Sequence, residues 1–178
     1  MTLSELANMT RASQDKFELE QLLRILSYIN PLSILEVGVF LGGFVETMRK
    51  AFPNATVIGI DKDYSSLEFT DFYALSGDSH LPSMREAVKD TLKGKPLDFL
   101  FIDGDHTYNG VKTDFELYAP LVRSGGIIAF HDTMRLSGQI KGVEVREFFD
   151  HIRSSCPSIE LWNSPLGDIA PGIGVLFV

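Results

Sequence analysis

Apolar runs rich in β-branched residues alternate along this chain with segments whose apolar positions recur at helical spacing. That alternation is the signature of an α/β fold built on a parallel sheet. Strands are expected at 32–37 (LSILEV), 56–61 (TVIGID), 72–76, 97–102 (LDFLFI) and 126–131 (GIIAFH), with two more near 158–162 and 173–178. A helix is expected over 14–29, where Leu19, Leu22, Leu23, Leu26 and Ile29 form an apolar stripe, and another over 43–51, ended by Pro53. A third begins after Leu81, where Pro82 precedes Ser83 and Glu86 stands at capping-box spacing. A fourth carries Tyr108, Val111, Phe115, Tyr118 and Leu121 on one side, and a fifth runs over 143–153. The polar, Gly- or Pro-bearing stretches 132–142 and 163–171 read as loops that could cover a site.

Length and composition narrow this picture. The 178 residues, 44% hydrophobic and 22% charged, suffice for one buried core and are few for two. The expectation is a single domain over 1–178, with 1–30 as an N-terminal helical extension. A net charge of -8 and a pI near 4.9 repel phosphate backbones and anionic lipid, which argues against nucleic-acid and membrane partners. The one cysteine, Cys156, excludes an internal disulfide and fits a reducing compartment. The first residues lack a basic region leading into an apolar run, so a cytoplasmic location is expected.

Chemistry is concentrated where strands end. FLFIDGDHTY (99–108) and GGIIAFHDT (125–133) are apolar runs that stop abruptly in acids and imidazoles. Buried parallel strands deliver such groups to one edge of a sheet, so Asp103, Asp105, His106, His131 and Asp132 are expected to meet. Oxygen-rich clusters with imidazole nearby suit a divalent cation, and a cation beside a basic imidazole suits deprotonation of a hydroxyl. The first strand and turn, ILEVGVFLGG, place Gly38, Gly42 and Gly43 where backbone can approach a ligand closely. The spacing is E-x-G-x-x-x-G rather than the GxGxxG of dinucleotide binders. Glu36 there repels a pyrophosphate and attracts a cationic amino acid group, so the loop suits a nucleoside bearing a cation. Asp61, at the end of the second strand, stands where an acid reaches ribose hydroxyls. Asp78, ending the next strand, is placed to bind an adenine amino group. Other readings are structural: Asp61 and Asp78 as helix caps, Asp105 as the N-cap of the helix containing Tyr108, and His131 as a packed core histidine. His80 and His151 read as surface residues, and Trp162 as core with its indole N–H satisfied.

With ILEVGVFLGG, GIDKD, SGDSH, FIDGDHTYNGVKTDFELYAPLVRSGGIIAFHD and GVEVREFFD in this order, the chain from Ile34 onward resembles the class I S-adenosylmethionine-dependent methyltransferases. Within them it is most similar to small metal-dependent O-methyltransferases that carry a DGDHxY motif, including enzymes acting on macrolide sugars and relatives in cephalosporin biosynthesis. The resemblance implies a Rossmann-like, doubly wound, seven-stranded sheet, mostly parallel with an antiparallel C-terminal strand and helices on both faces. It implies S-adenosyl-L-methionine as cofactor and methyl transfer to a hydroxyl of a small molecule, assisted by Mg2+ or another divalent cation. Glu36, Gly38 and Gly42 match the loop holding the methionine part, Asp61 the ribose acid and Asp78 the adenine-side position. Asp103 and Asp132 match magnesium-binding acids, with Asp103 also on the cofactor side, and His106 matches the proposed general base.

One departure stands out. Where such relatives carry Glu-Asp or Asp-Asn at the fifth strand end, this chain has His131-Asp132. Imidazole is a poor magnesium ligand and a better one for softer ions, so either His131 points away or it joins Asp103 and Asp132 around a different metal. Rival classes are a metal-dependent hydrolase using the same acids and imidazoles, a nicotinamide-dependent oxidoreductase, and a cofactor-binding subunit without chemistry. The first leaves the Glu36 loop without a role, and the second lacks GxGxxG and a Tyr-x-x-x-Lys pair. The acceptor-binding parts are short, so the site is open or is completed by a second copy through the apolar N-terminal helix, giving a homodimer.

Overall fold

Period-2 alternation within each strand sends successive side chains to opposite faces, and both faces here are covered by helices. The computed structural model describes residues 1–65, 67, 69–134, 141–163 and 171–178. Its strands are β1 (Ser33–Val37), β2 (Thr56–Asp61), β3 (Tyr73–Ser76), β4 (Leu97–Ile102), β5 (Val122–His131), β6 (Ser158–Leu161) and β7 (Ile173–Phe177). They form one sheet in the order β3-β2-β1-β4-β5-β7-β6. Neighbours from β3 to β5 pair in parallel, and β7 runs antiparallel to both β5 and β6. The expected sheet is therefore present, with its one reversed strand at the C-terminal end.

The helices are α1 (Leu3–Met9), α2 (Lys16–Ile29), α3 (Gly43–Ala51), α4 (Pro82–Leu92), α5 (Tyr108–Tyr118) and α6 (Val145–Ile152), with a 3-10 turn at Ala119–Leu121. One core layer joins Leu6 of α1, the α2 leucines and Phe44 and Met48 of α3 to Ile34, Val57, Phe99 and Phe101 of the sheet. The opposite layer joins Val88 of α4, Val111 and Tyr118 of α5 and Phe148 of α6 to Leu35, Ile58, Leu100 and Phe130. Adjacent strand residues thus belong to different layers. The chain order reverses between β1 and β4, which opens a crevice at the carboxyl ends of the strands, where such sheets bind ligands.

Several local expectations are corrected. An additional helix, α1, forms behind a capping box in which Thr2 and Glu5 satisfy each other's backbone N–H groups. No side chain caps α4 despite the Ser83–Glu86 spacing; Pro82 lies in its first turn, and Glu86 pairs with Lys89 and Arg85 instead. Thr107, not Asp105, caps α5 through the Gly110 N–H. Trp162 is about half exposed at the end of the edge strand β6 rather than in the core. Residues 135–140 and 164–170, the centres of the two expected loops, lie outside the described residues. Among the described residues no helix is long and apolar enough to cross a membrane.

Candidate active site

Strand register brings the chemistry together. Val37 is level with Ile60 on one side and Ile102 on the other, and Ile102 is level with Phe130. The next residue on each strand is then Gly38, Asp61, Asp103 or His131, so four strand ends present them along one edge. A cavity of about 940 Å³ opens there, lined by the Glu36–Leu41 turn, Asp61, the Asp103–His106 turn, His131 and Asp132. That volume accommodates a nucleoside-sized ligand with room beside it.

The glycine turn is shaped by its neighbours. Gly38 has φ +89°, and a Cβ there would stand 2.2 Å from the Asp103 carbonyl oxygen, so only glycine lets the first turn pass β4 this closely. Gly42 (φ +83°) begins α3, where a Cβ would meet Leu67 at 2.5 Å. Asp61 holds the turn from the other side. Its Oδ2 accepts the Val39 and Phe40 N–H groups, both at 2.8 Å, and its Oδ1 accepts the Asp63 N–H at 3.0 Å. It caps this loop rather than a helix. Beneath the turn, Glu36 is 2% exposed and its Oε2 has no hydrogen-bond partner among the described residues. Burial, followed by the Asp103 and Asp61 charges, pushes its carboxyl well above the usual range.

The second half of the site is a knot of acids and imidazoles. Asp103 Oδ1 faces His131 Nδ1 at 3.2 Å and His106 Nε2 at 3.3 Å, while His106 Nδ1 faces Asp132 Oδ2 at 3.1 Å. Asp132 adopts the left-handed conformation (φ 61°), which Asp tolerates better than most residues. His131 and Asp132 are buried. Burial works to raise the Asp103 carboxyl, but His131 and His106 outweigh it and hold it below its usual value. The Asp103 hydrogen bond raises His106 against the opposing effect of burial. His131 is also raised, the carboxylates around it outweighing its burial. His131 points toward the acids rather than away, and Asp103, His131 and Asp132 each offer one ligand atom within 4.8 Å of the others.

Asp105 and His80 also line the cavity, whereas Asp78, Asp114 and His151 do not. Asp78 is not among the lining residues, although Gly77, Ser79 and His80 are. Its Oδ1 accepts the His80 N–H at 3.1 Å and lies 3.6 Å from Lys62 Nζ. Asp105 accepts the Thr107 N–H at 2.9 Å. His80, read from sequence as a surface residue, has its Nε2 3.6 Å from Asp114 Oδ1. Asp114 is fully buried, and burial in the main pushes its carboxyl up to about 6. His151 is exposed and its Nδ1 meets the Tyr108 hydroxyl at 2.8 Å.

Sequence reasoning missed two contributors. Gln14 donates its amide to Asp103 Oδ2 at 2.7 Å. Glu144 ties the DGDHxY turn to the start of α6, its N–H donating to the His106 carbonyl at 2.7 Å and its Oε2 accepting the Tyr108 N–H at 2.9 Å. All three contacts span long stretches of chain, and no local pattern gives these partners.

A doubly wound sheet with a glycine turn at its switch point and acids on the adjoining strand ends defines an α/β protein of Rossmann type. Residues 35–133 match the family described as "Methyltransferase domain", and the chain belongs to that family. It is 34% identical over 113 residues to protein R132 of Acanthamoeba polyphaga mimivirus, covering 57% of this chain and 51% of the relative. It is 31% identical over 88 residues to protein y4gI of Sinorhizobium fredii, covering 49% of this chain and 9% of the relative. The chain thus spans about half or less of the curated relatives it matches.

Solved structures share the fold. The MycE methyltransferase of the mycinamycin biosynthetic pathway, in complex with Mg, S-adenosylhomocysteine and mycinamycin VI, superposes with a TM-score of 0.70 at 18% identity, over 99% of this chain and 54% of that one. An O-methyltransferase from Bacillus cereus, in complex with S-adenosylhomocysteine, gives 0.70 at 17% identity over 99% and 87%. A putative caffeoyl-CoA O-methyltransferase from Staphylococcus aureus gives 0.72 at 16% identity over 98% and 91%.

Proposed function

We propose that this protein transfers a methyl group from S-adenosyl-L-methionine to a hydroxyl oxygen of a small molecule, assisted by a divalent cation. The observation that carries the reading is the strand register, which sets the glycine turn level with Asp103 and His131. A cofactor seated on the turn is thereby aimed at the acid–imidazole knot. When bound, S-adenosyl-L-methionine supplies an electrophilic methyl group on a sulfonium centre. The residues fit it: Gly38 and Gly42 let the turn pack closely against the Asp103 backbone and Leu67 and so shape the cradle, and Glu36 offers a buried carboxyl oxygen, without a hydrogen-bond partner among the described residues, to a cationic amino acid group. Asp61 keeps one lone pair, on Oδ1, for a ribose hydroxyl while bracing the loop. Asp78, turned toward Lys62, is assigned the adenine side through the Gly77–His80 turn rather than through direct lining of the cavity.

Asp103, His131 and Asp132 would hold the cation, two carboxylates and one imidazole being a donor set better suited to manganese or a softer divalent ion than to magnesium. Such a cation would supply Lewis acidity that lowers the pKa of an acceptor hydroxyl. His106 is the general base. Its carboxylate neighbours raise its proton affinity, and Glu144 fixes the backbone that carries it. Methyl transfer would form the oxygen–carbon bond as the carbon–sulfur bond breaks, with S-adenosylhomocysteine as the leaving group; His106, in its neutral form, would take the hydroxyl proton, and the cavity walls would keep donor and acceptor together. No covalent enzyme intermediate is needed.

The reading is tested by incubating the protein with methyl-labelled S-adenosyl-L-methionine and a panel of sugar, polyol and phenol acceptors, in EDTA and with Mg2+ or Mn2+ added. Labelled methyl ether, formed faster with metal, is the expected result. Equal rates in EDTA would remove the metal. A protein that binds cofactor yet methylates only nitrogen or sulfur acceptors would remove the hydroxyl assignment.

A further inference from the structure

The segment between α1 and α2 lies outside the stretch that matches the methyltransferase family, residues 35–133. It nevertheless forms a wall of the cavity, through Arg11, Ser13 and Gln14. The segment is fastened to the start of α3. Thr10 Oγ1 donates to the Gly43 carbonyl at 3.2 Å and pairs with the Thr47 hydroxyl, and Arg11 meets Glu46 at 3.2 Å. Gly43 accommodates it: a Cβ there would stand 2.4 Å from the Ala12 nitrogen. This third glycine of the turn therefore serves the N-terminal segment.

Gln14 is the point of the arrangement. It is 5% exposed, its Nε2 donates to Asp103 Oδ2 at 2.7 Å, and its Oε1 has no hydrogen-bond partner among the described residues. The contact fixes which way the amide faces, since the opposite rotamer would set an amide oxygen against a carboxylate. It also divides the work of Asp103. Oδ2 is held by Gln14, while Oδ1 alone faces His131 and His106. A neutral amide does this without cancelling the charge, as a lysine or arginine in its place would.

Resting on the proposed metal-assisted reading, we infer that Gln14 is a positioning residue, supplied from outside the stretch that matches the family, that orients Asp103 so that Oδ1 is presented to the cation or to the cationic end of the cofactor. Outer partners of a ligating carboxylate typically influence metal affinity by 10- to 100-fold. Its deletion should therefore be read first in binding rather than in folding.

The test compares the wild-type protein with Gln14→Met, which keeps length and packing but cannot donate, and repeats the substitution on an Asp103→Asn background. Mn2+ affinity is followed by the electron paramagnetic resonance of free Mn2+, and S-adenosylhomocysteine affinity in EDTA by calorimetry. The expected result is Mn2+ binding weakened about tenfold or more by Gln14→Met, with a melting temperature close to wild type. On the Asp103→Asn background the same substitution should leave S-adenosylhomocysteine affinity unchanged, because its effect runs through Asp103. Equal Mn2+ affinity in wild type and Gln14→Met overturns the inference, as does an equal loss of cofactor affinity on both backgrounds, which marks a structural role. If the wild-type protein takes up no Mn2+, the metal reading fails separately. Gln14 is then decided by the cofactor titration alone: a loss confined to the Asp103 background supports it, and no loss overturns it.

Discussion

Around Asp61 the carboxylate charge is met by backbone: three N–H groups of the glycine turn and the following bend converge on its two oxygens. Around Asp103, two strands further along the same sheet edge, charge is met by side chains, the imidazoles of His131 and His106 and the Gln14 amide, with a second acid, Asp132, facing the other nitrogen of His106. Backbone donors are fixed, and cannot change protonation state or leave. Imidazoles and carboxylates can exchange protons or give them up to a bound cation. The first region is therefore a preformed cradle, and the second a site whose charge can be rearranged during a reaction. Under the proposed function, binding falls to the first and chemistry to the second.

The widest separation between them is expected from His106→Ala. Loss of a general base typically costs about 10²- to 10⁴-fold in turnover, whereas S-adenosylhomocysteine affinity by calorimetry should stay within about twofold, the residue lying outside the cradle. Undiminished turnover would give the proton to another group. Asp61→Ala should do the reverse. Removing an acceptor shared by three N–H groups is expected to cost about 2–3 kcal/mol of stability and to weaken S-adenosylhomocysteine about tenfold or more, measured by chemical denaturation and calorimetry. Unchanged cofactor affinity would dissolve the distinction between cradle and knot.

A smaller effect comes from Glu18, fully buried on α2 behind the knot and accepting the Gly172 N–H at 3.2 Å. Burial first, with the nearby Asp15 charge, pushes its carboxyl up to about 7 despite His131. Because this value lies above the ordinary one, the folded state binds the extra proton. The associated stability is present below pH ~4.5 and is lost as pH rises toward 7. Glu18→Gln removes that dependence. Relative to wild type it should gain on the order of 1–3 kcal/mol between pH 4 and pH 8, read from melting temperatures across that range. Parallel pH profiles would show that Glu18 does not titrate there.

The sheet and the strand-end residues were legible because both follow from local pattern. Continuous apolar runs marked the buried parallel strands, and their abrupt ends in Asp103 and His131 marked one edge. The orientation of His131 was not legible: sequence allows its ring to face either way, and the structure turns it toward the two acids. Trp162 was misjudged because size and hydrophobicity suggest burial, whereas an edge strand leaves one side uncovered. Helix α1 had a readable signal, the Thr2–Glu5 capping box, obscured by its length of only 7 residues. Gln14 had none. A polar residue just ahead of an amphipathic helix looks solvated until tertiary packing places it 2.7 Å from an acid 89 positions away.

On the proposed function, the cradle suits a cationic nucleoside rather than a dinucleotide. A thermal-shift comparison of S-adenosylhomocysteine with NAD, each in EDTA, tests it most directly. At 100 times its dissociation constant a ligand stabilises the folded state by about 2.7 kcal/mol, which for a chain of this size is roughly 5–10 °C. A rise of that size with S-adenosylhomocysteine and none with NAD is the expected result. A rise with NAD alone would contradict the reading of Glu36 and its glycine turn.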